Sequence, residues 1–251
     1  MRTIRLLIAF DGTDFHGWQL QPDAPTIQGE IEKHLATIHN TRITLHGAGR
    51  TDAGVHAAGM VAHFHTEKGI DCAVLQQSLN SMLPLSIRIL EVTEESQSFH
   101  ARFSAKSKTY LYSIFNGDIL LPQKRLYSVH IRTPLNFKVM EKCLQLLEGT
   151  HDFSSFETAG SRDQLSRDIN GSTRTIYRAE ITHLPDNFHT FHISGSGFLR
   201  HMVRNIVGTA LEVGLGRRSE LSFREAVEAK RRSAAGSTAP AHGLTLAKIE
   251  Y

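Results

Sequence analysis

Asp52 and Arg50 stand two residues apart in a stretch, Gly47-Ala48-Gly49-Arg50-Thr51-Asp52-Ala53-Gly54-Val55-His56-Ala57, that otherwise carries few reactive side chains. Three glycines and three alanines remove bulk, open backbone angles closed to other residues and let a large ligand approach the main chain. An aspartate in such a place can be a nucleophile, a base, a metal ligand or a residue that caps a turn or helix. The segment alone leaves all four open. A guanidinium this close favours the ionised carboxylate, whose reference pKa of about 3.9 already makes it charged at neutral pH. Arg50 itself can reach a phosphate, fill the space left by an unstacked base, or simply be a surface arginine.

Three further groups could serve the same chemistry. Tyr110 follows the basic approach Lys106-Ser107-Lys108 and offers a stacking face and a hydroxyl, as base stacking beside a phosphate track requires. Tyr112 shares its sheet face by alternation, so plain core packing is the competing reading for both. Arg204 lies inside the apolar run Met202-Val203-Arg204-Asn205-Ile206-Val207, with Arg200 one helical turn earlier. A guanidinium placed there needs a carboxylate or phosphate partner, or must snorkel to water, and Asp52 is the obvious carboxylate. Among fifteen histidines, His63 and His65 share a strand face with His56 nearby, yet no HExxH or paired-cysteine spacing accompanies them. Gly195-Ser196-Gly197 lacks the third glycine of a dinucleotide loop, and Gly47-Ala48-Gly49 lacks GK[ST]. Nothing in these loops implies ATP or NAD.

The elements that must position these groups follow from periodicity. Ile4 to Phe10 reads as a strand and Thr26 to Ile38 as a helix with Ile27, Ile31, Leu35 and Ile38 on one stripe. A strand over Met60 to Thr66 follows the glycine loop. Val74 to Met82 reads as a helix with Val74, Leu75, Leu79 and Met82 inward, and Ile87 to Val92 as a strand. A second unit opens at Lys108 with the strand Thr109 to Phe115. It continues through a helix over Phe137 to Leu147, a hairpin of Thr175 to Leu184 with Asn187 to Ser194, and a helix over Leu199 to Val213. Leu244 begins a terminal strand. The fold class expected is α+β, two related halves of mixed or antiparallel sheet with helices on one face, residues 1–104 and 105–251. No sequence repeat is visible between them, and the polar stretch from Gly160 to Gly171 reads as a mobile loop.

With 251 residues and 40% apolar content the chain can bury a substantial core as a globular protein. Its N-terminal apolar run, Leu6 to Phe10, is too short for a signal peptide or a membrane span. Cys72 and Cys143 make no disulfide framework and fit an intracellular address as ordinary buried thiols. A formal charge of +3 leans towards an anionic partner, and the basic clusters at Arg102/Lys106/Lys108, Lys124/Arg125, Arg200/Arg204, Arg217/Arg218 and 230–232 would form a phosphate track only by converging on one surface.

Six blocks in order resemble one family, tRNA pseudouridine synthase A, across nearly the whole chain. They are Phe10 to Gln19 (FDGTDFHGWQ), Thr26 to Glu30 (TIQGE), Gly49 to His56 (GRTDAGVH), Phe99 to Ser104 (FHARFS) leading into Lys108-Thr109-Tyr110, Gly149 to Phe153 (GTHDF), and Gly197 to Arg204 (GFLRHMVR) with the tail Ala239 to Leu244 (APAHGL). The resemblance implies a pseudouridine synthase fold, with the two halves joined around a central catalytic cleft. It implies a reaction that detaches uracil from ribose, turns the base and rejoins it through carbon 5. In that implied scheme Asp52 is the nucleophile, Tyr110 stacks on the target uracil, Arg204 pairs with Asp52, Leu244 walls the pocket and Arg50 fills the gap left by the flipped uridine. The implied targets are uridines of the anticodon stem-loop, at positions 38, 39 and 40 of tRNA. The implied setting is a cytoplasmic homodimer on tRNA, away from membranes and without metal or cofactor. The stretch from Arg162 to Gly171 departs from any fixed family pattern. Two other classes remain to be separated from this one: a non-catalytic RNA-binding module in which Asp52 merely caps a turn, and a metallohydrolase built on His56, His63 and His65.

Overall fold

The computed structural model describes residues 1–158 and 171–251. The expected loop from Gly160 to Gly171 lies, up to residue 170, outside the described residues. The chain divides into two compact units, Met1–Lys106 with Thr245–Tyr251, and Ser107–Leu244.

In the first unit β1 (Arg2–Phe10) is the central strand. It pairs antiparallel with β4 (Ile87–Glu95) on one side and with β3 (His56–Thr66) on the other. β1 buries Ile4, Leu6, Ile8 and Phe10 in alternation, whereas β3 is buried along almost its whole length, as a strand covered on both faces must be. The far edge of β3 takes two short stretches of pairing. The terminal strand β10 (Leu244–Glu250) runs parallel to it, with Thr245 opposite His56, and β2 (His46–Gly47) pairs antiparallel, with His46 opposite His63. The sheet is therefore mixed.

Two helices complete this unit. α1 (Ile27–His39) starts where Thr26 Oγ1 accepts Gly29 N at 3.2 Å and ends at Asn40, in the left-handed region at φ 51°. Its buried stripe is Ile27, Ile31, Leu35 and His39. The strict four-residue step hands the last core position to His39 and leaves the expected Ile38 only half-buried. α2 (Cys72–Met82) is capped by Asp71, which accepts from Ala73 N and Val74 N. It buries Leu75 and Leu79, while Val74, expected inward, is 54% exposed because it falls on the first turn beside the cap.

The second unit is built on β5 (Ser107–Phe115), β9 (Phe188–Gly195), β8 (Thr173–His183) and β7 (Gly149–Asp152), each antiparallel to the next. The two-residue β6 (Val129–His130) adds a parallel contact to β5. Asp186 and Asn187 take φ values of 59° and 62° in the turn of the expected hairpin, the conformation that matches strand twist. α3 (Phe137–Gln145), α4 (Met202–Gly214) and α5 (Glu220–Glu228) pack with one another, and α3 also rests on β8. Among the described residues, mixed strands with five α-helices give an α+β fold. The helix expected from Leu199 starts at Met202, because His201 adopts a left-handed φ of 60° and breaks the helical path. Arg200 therefore lies in the preceding turn, not one helical turn below Arg204.

Candidate active site

Asp52 is half-buried at the head of a turn. Its carbonyl accepts Val55 N at 3.2 Å, and Gly54, at φ 75°, supplies the left-handed residue this turn needs. Main-chain bonds on both sides hold the turn in place. Trp18 N donates to the Thr51 carbonyl at 3.1 Å, Gly54 N to the Phe15 carbonyl at 3.3 Å, and Ala48 N to the Val61 carbonyl of β3 at 2.8 Å. The segment 15–18 thus acts as a brace, and its Trp18 side chain is 1% exposed. The indole lies where a Cβ on Gly47 would come 2.5 Å from its Nε1, and Ala48 is fully buried. Part of the loop's bareness therefore serves its own seating in the core, leaving Arg50, Asp52 and Ala53 as its outward side.

Arg50 is exposed, and its Nε donates to Gln19 Oε1 at 3.1 Å. At the neck of the loop His56 is buried and its Nδ1 accepts Gly12 N at 3.1 Å, tying the end of the loop to the β1 exit. Asp11 Oδ1 lies 3.2 Å from the same Nδ1 and receives both the amide and the hydroxyl of Thr13.

The second unit separates the two tyrosines that share a face. Tyr112 is fully buried, meets Phe191 edge-on and donates its hydroxyl to the Pro240 carbonyl at 2.9 Å. Burial holds that phenol above its ordinary pKa, opposed by the Arg204 guanidinium. Tyr112 is thus a structural post for the chain just before Leu244. Tyr110 keeps 9% exposure, with the edge of Phe198 at a centroid distance of 5.1 Å, and is the tyrosine with a surface left to offer.

Arg204 is half-buried on the first turn of α4 and its Nε donates to the Ala239 carbonyl at 2.8 Å. Beside it Asn205, fully buried, organises the tail. Its Nδ2 donates to the Phe156 carbonyl at 2.7 Å, while its Oδ1 accepts Thr238 Oγ1 at 2.6 Å and Arg232 Nη2 at 3.2 Å. One turn on, Thr209 Oγ1 accepts Gly236 N at 2.9 Å, and a further turn on Glu212 takes the amide and hydroxyl of Ser237 and the Nε of Arg218. The last three bonds hold the Glu212 carboxyl below its ordinary pKa against the cost of its burial. The segment 232–239 is in this way docked along α4, and Leu244, 5% exposed, follows it at the head of β10. Sequence reading singled out Arg204 and passed over Asn205. A neutral amide inside an apolar helical run was the available signal, since such a group has to find partners.

The histidines form a different cluster from the one the sequence suggested. A register shift in the β1/β3 pairing lies between His56 and the other two, and His56 makes its bond at the β1 exit, to Gly12 N. His63 is instead ringed by His46, His65 and His100 at centroid distances of 5.1, 5.4 and 4.6 Å, and its Nδ1 accepts Ala101 N at 3.2 Å. Burial first, then these three imidazoles, press its pKa down to about 4. Among the described residues no group of three or more His, Cys, Asp or Glu is arranged to hold a metal ion. Cys143 is buried, whereas Cys72, expected to be buried too, is half-exposed at the start of α2. Among the described residues no helix is long and apolar enough to cross a membrane.

A family profile described as tRNA pseudouridine synthase matches residues 6–104 and 143–251, and so takes in both the Asp52 turn and α4 with its docked tail. The chain belongs to the tRNA pseudouridine synthase family. Members of this family are isomerases that act on tRNA. Relatives at full length include "tRNA pseudouridine synthase A 1" of Desulfotalea psychrophila, 54% identical over 251 residues and covering 100% of both chains. Another, "tRNA pseudouridine synthase A" of a Geobacillus species, is 44% identical over 254 residues, covering 100% of this chain and 98% of the relative. Among solved structures, a chain of a Cbf5-Nop10-Gar1 complex aligns at 14% identity and a TM-score of 0.32, over 82% of this chain and 54% of that one.

Proposed function

We propose that the protein isomerises uridine to pseudouridine in the anticodon stem-loop of tRNA, with Asp52 as nucleophile and the target base flipped out of the helix. The observation that carries this reading is the Asp52 turn. A carboxylate on a turn held by main-chain bonds from residues 15, 18 and 61 is preorganised, and catalysis by an ionised group requires that it not reorganise during the reaction.

The bond changes balance within the substrate. The bond between ribose carbon 1′ and uracil nitrogen 1 breaks, a bond from the same carbon to uracil carbon 5 forms, carbon 5 gives up its proton and nitrogen 1 ends protonated. Asp52 enters as a covalent partner, either at the ribose anomeric carbon or at uracil carbon 6, and leaves unchanged. No oxidant, reductant or activated group is consumed. Tyr110 supplies the stacking surface for uracil, Leu244 an apolar wall, Arg204 the countercharge to the reacting carboxylate, and Arg50 the side chain that occupies the vacated stack. Formation of a homodimer in the cytoplasm is carried over from the family resemblance, and sedimentation of the purified protein checks the dimer.

Tritium at carbon 5 of uracil reports the reaction directly. The unmodified protein is expected to release it from tRNA into water and Asp52→Ala to release none. Tritium release at the parental rate by Asp52→Ala would remove the carboxylate from the mechanism.

A further inference from the structure

We infer that Gln19 is a positioning residue for Arg50, the last member of a hydrogen-bond relay whose direction is imposed from α1. This rests on the role proposed above for Arg50.

The relay begins at groups that can only accept. Gln28, 6% exposed on the first turn of α1, donates its Nε2 to Glu32 Oε1 at 2.9 Å and to the Leu45 carbonyl at 3.1 Å. Glu32 is held in turn by Leu45 N, which donates to its Oε1 at 2.8 Å. An ionised carboxylate and a carbonyl have no proton to give, so the Gln28 amide has one orientation, with its NH2 towards them. Its Oε1 therefore faces the other way. It accepts Leu20 N at 3.0 Å and Gln19 Nε2 at 2.8 Å. Leu20 N is a main-chain donor and supports the same orientation independently. With the Gln19 NH2 committed to Gln28, Gln19 Oε1 must point outward, where it accepts Arg50 Nε at 3.1 Å. A side-chain amide in isolation is ambiguous between its two ends, but here each link removes the ambiguity of the next.

This matters for Arg50 because a hydrogen bond at Nε narrows the rotamers open to a long, exposed side chain on a loop. A bond at Nε restricts the orientation of the guanidinium, which is planar and includes that nitrogen. A side chain that must enter a vacated base stack benefits from an aim set beforehand, because misplacement of a positioned group is expensive in rate. Gln19 is exposed and stands at the end of the brace 15–18 that also holds the Asp52 turn. The same short segment thus places the carboxylate through the main chain and the guanidinium through a side chain.

The test uses Gln19→Met, which keeps length and volume and removes both hydrogen-bonding ends. Single-turnover pseudouridine formation is measured on two RNAs, one with the target uridine paired in a stem and one with it opposite an abasic site. Thermal melting verifies folding, and an exposed position should leave it unchanged. The expected result is a slowing of about fivefold on the paired target and little on the unpaired one. Arg50→Ala should show the same split more strongly, with Gln19→Met adding nothing to it. Equal slowing on both RNAs, an additive effect in the double variant, or no slowing would each overturn the proposal. The Asp52→Ala control separates the levels: an inactive control together with an additive Gln19→Met removes this inference alone, whereas an active control removes the reading on which it rests.

Discussion

Arg204 and Ala239 are joined twice: Arg204 Nε donates to the Ala239 carbonyl at 2.8 Å, and Ala239 N donates to the Arg204 carbonyl at 3.1 Å. A helix residue thereby exchanges both its main chain and its side chain with one residue of the tail. The exchange orients the guanidinium and anchors the chain that leads to Leu244.

Lysine at this position keeps the charge but cannot reproduce the geometry. Arg204→Lys retains the bond from Ala239 N to the main-chain carbonyl, yet its ammonium has no fixed plane and no Nε with which to reach the Ala239 carbonyl. The expected outcome is a melting temperature lowered modestly by the lost charge-assisted bond and a single-turnover rate lower by at least about tenfold, because the guanidinium is no longer held in place. A lysine variant with the parental rate would show that charge alone suffices.

Asn205 predicts a loss of the opposite kind. Asn205→Leu fits the volume but strands the Phe156 carbonyl and removes one bond each from the Thr238 hydroxyl and Arg232, which keep their bond to each other. Buried polar groups left without partners cost about 1 to 3 kcal/mol each, so a loss on the order of 3 kcal/mol is expected after partial relaxation. Urea unfolding checks it, with activity falling too because Thr238 is next to Ala239. A change below about 0.5 kcal/mol would mean that the tail is held elsewhere.

Much of this arrangement was legible in the sequence where periodicity was long. α1, α4, the β8/β9 hairpin and the central strands all repeat an apolar step often enough to outweigh local accidents. α5 was not, since Phe223, Ala226 and Val227 are its only buried residues while Leu221 is 62% exposed. The two-residue strands β2 and β6 carry no period at all. For the proposed site, residue type pointed to Asp52 and Arg204, because a carboxylate in a bare loop and a guanidinium in an apolar helix are conspicuous. Gln19, Gln28 and Asn205 were not conspicuous. Their importance lies in which groups they touch, and a neutral amide reveals that only when its partners are in place.

Gly54 links backbone conformation to the proposed nucleophile. Its φ of 75° is open to alanine only at a cost of about 1 kcal/mol. Gly54→Ala should therefore lower stability by about that amount while slowing the reaction far more, since the relaxed turn no longer holds Asp52 between Trp18 and Val55. Equal proportional losses in melting and rate would show that the turn does not orient the carboxylate.

The His63 cluster makes stability depend on pH with a definite sign. In the folded protein the ring holds its proton only below about pH 4, while in the unfolded chain it takes one near 6.5. Between those values the unfolded state binds more protons, so stability is complete above about pH 6.5, falls as the pH drops towards 4 and levels off below it. Holding the ring pKa near 4 against its ordinary value corresponds to at most about 3 kcal/mol. His100, whose pKa is also lowered, chiefly by burial, contributes in the same direction. His63→Gln retains an acceptor for Ala101 N but does not titrate. Melting curves from pH 7.5 to 4 should start lower for this variant and then decline less steeply than the parent's. Parallel declines would show that the acid sensitivity arises outside this cluster of imidazoles.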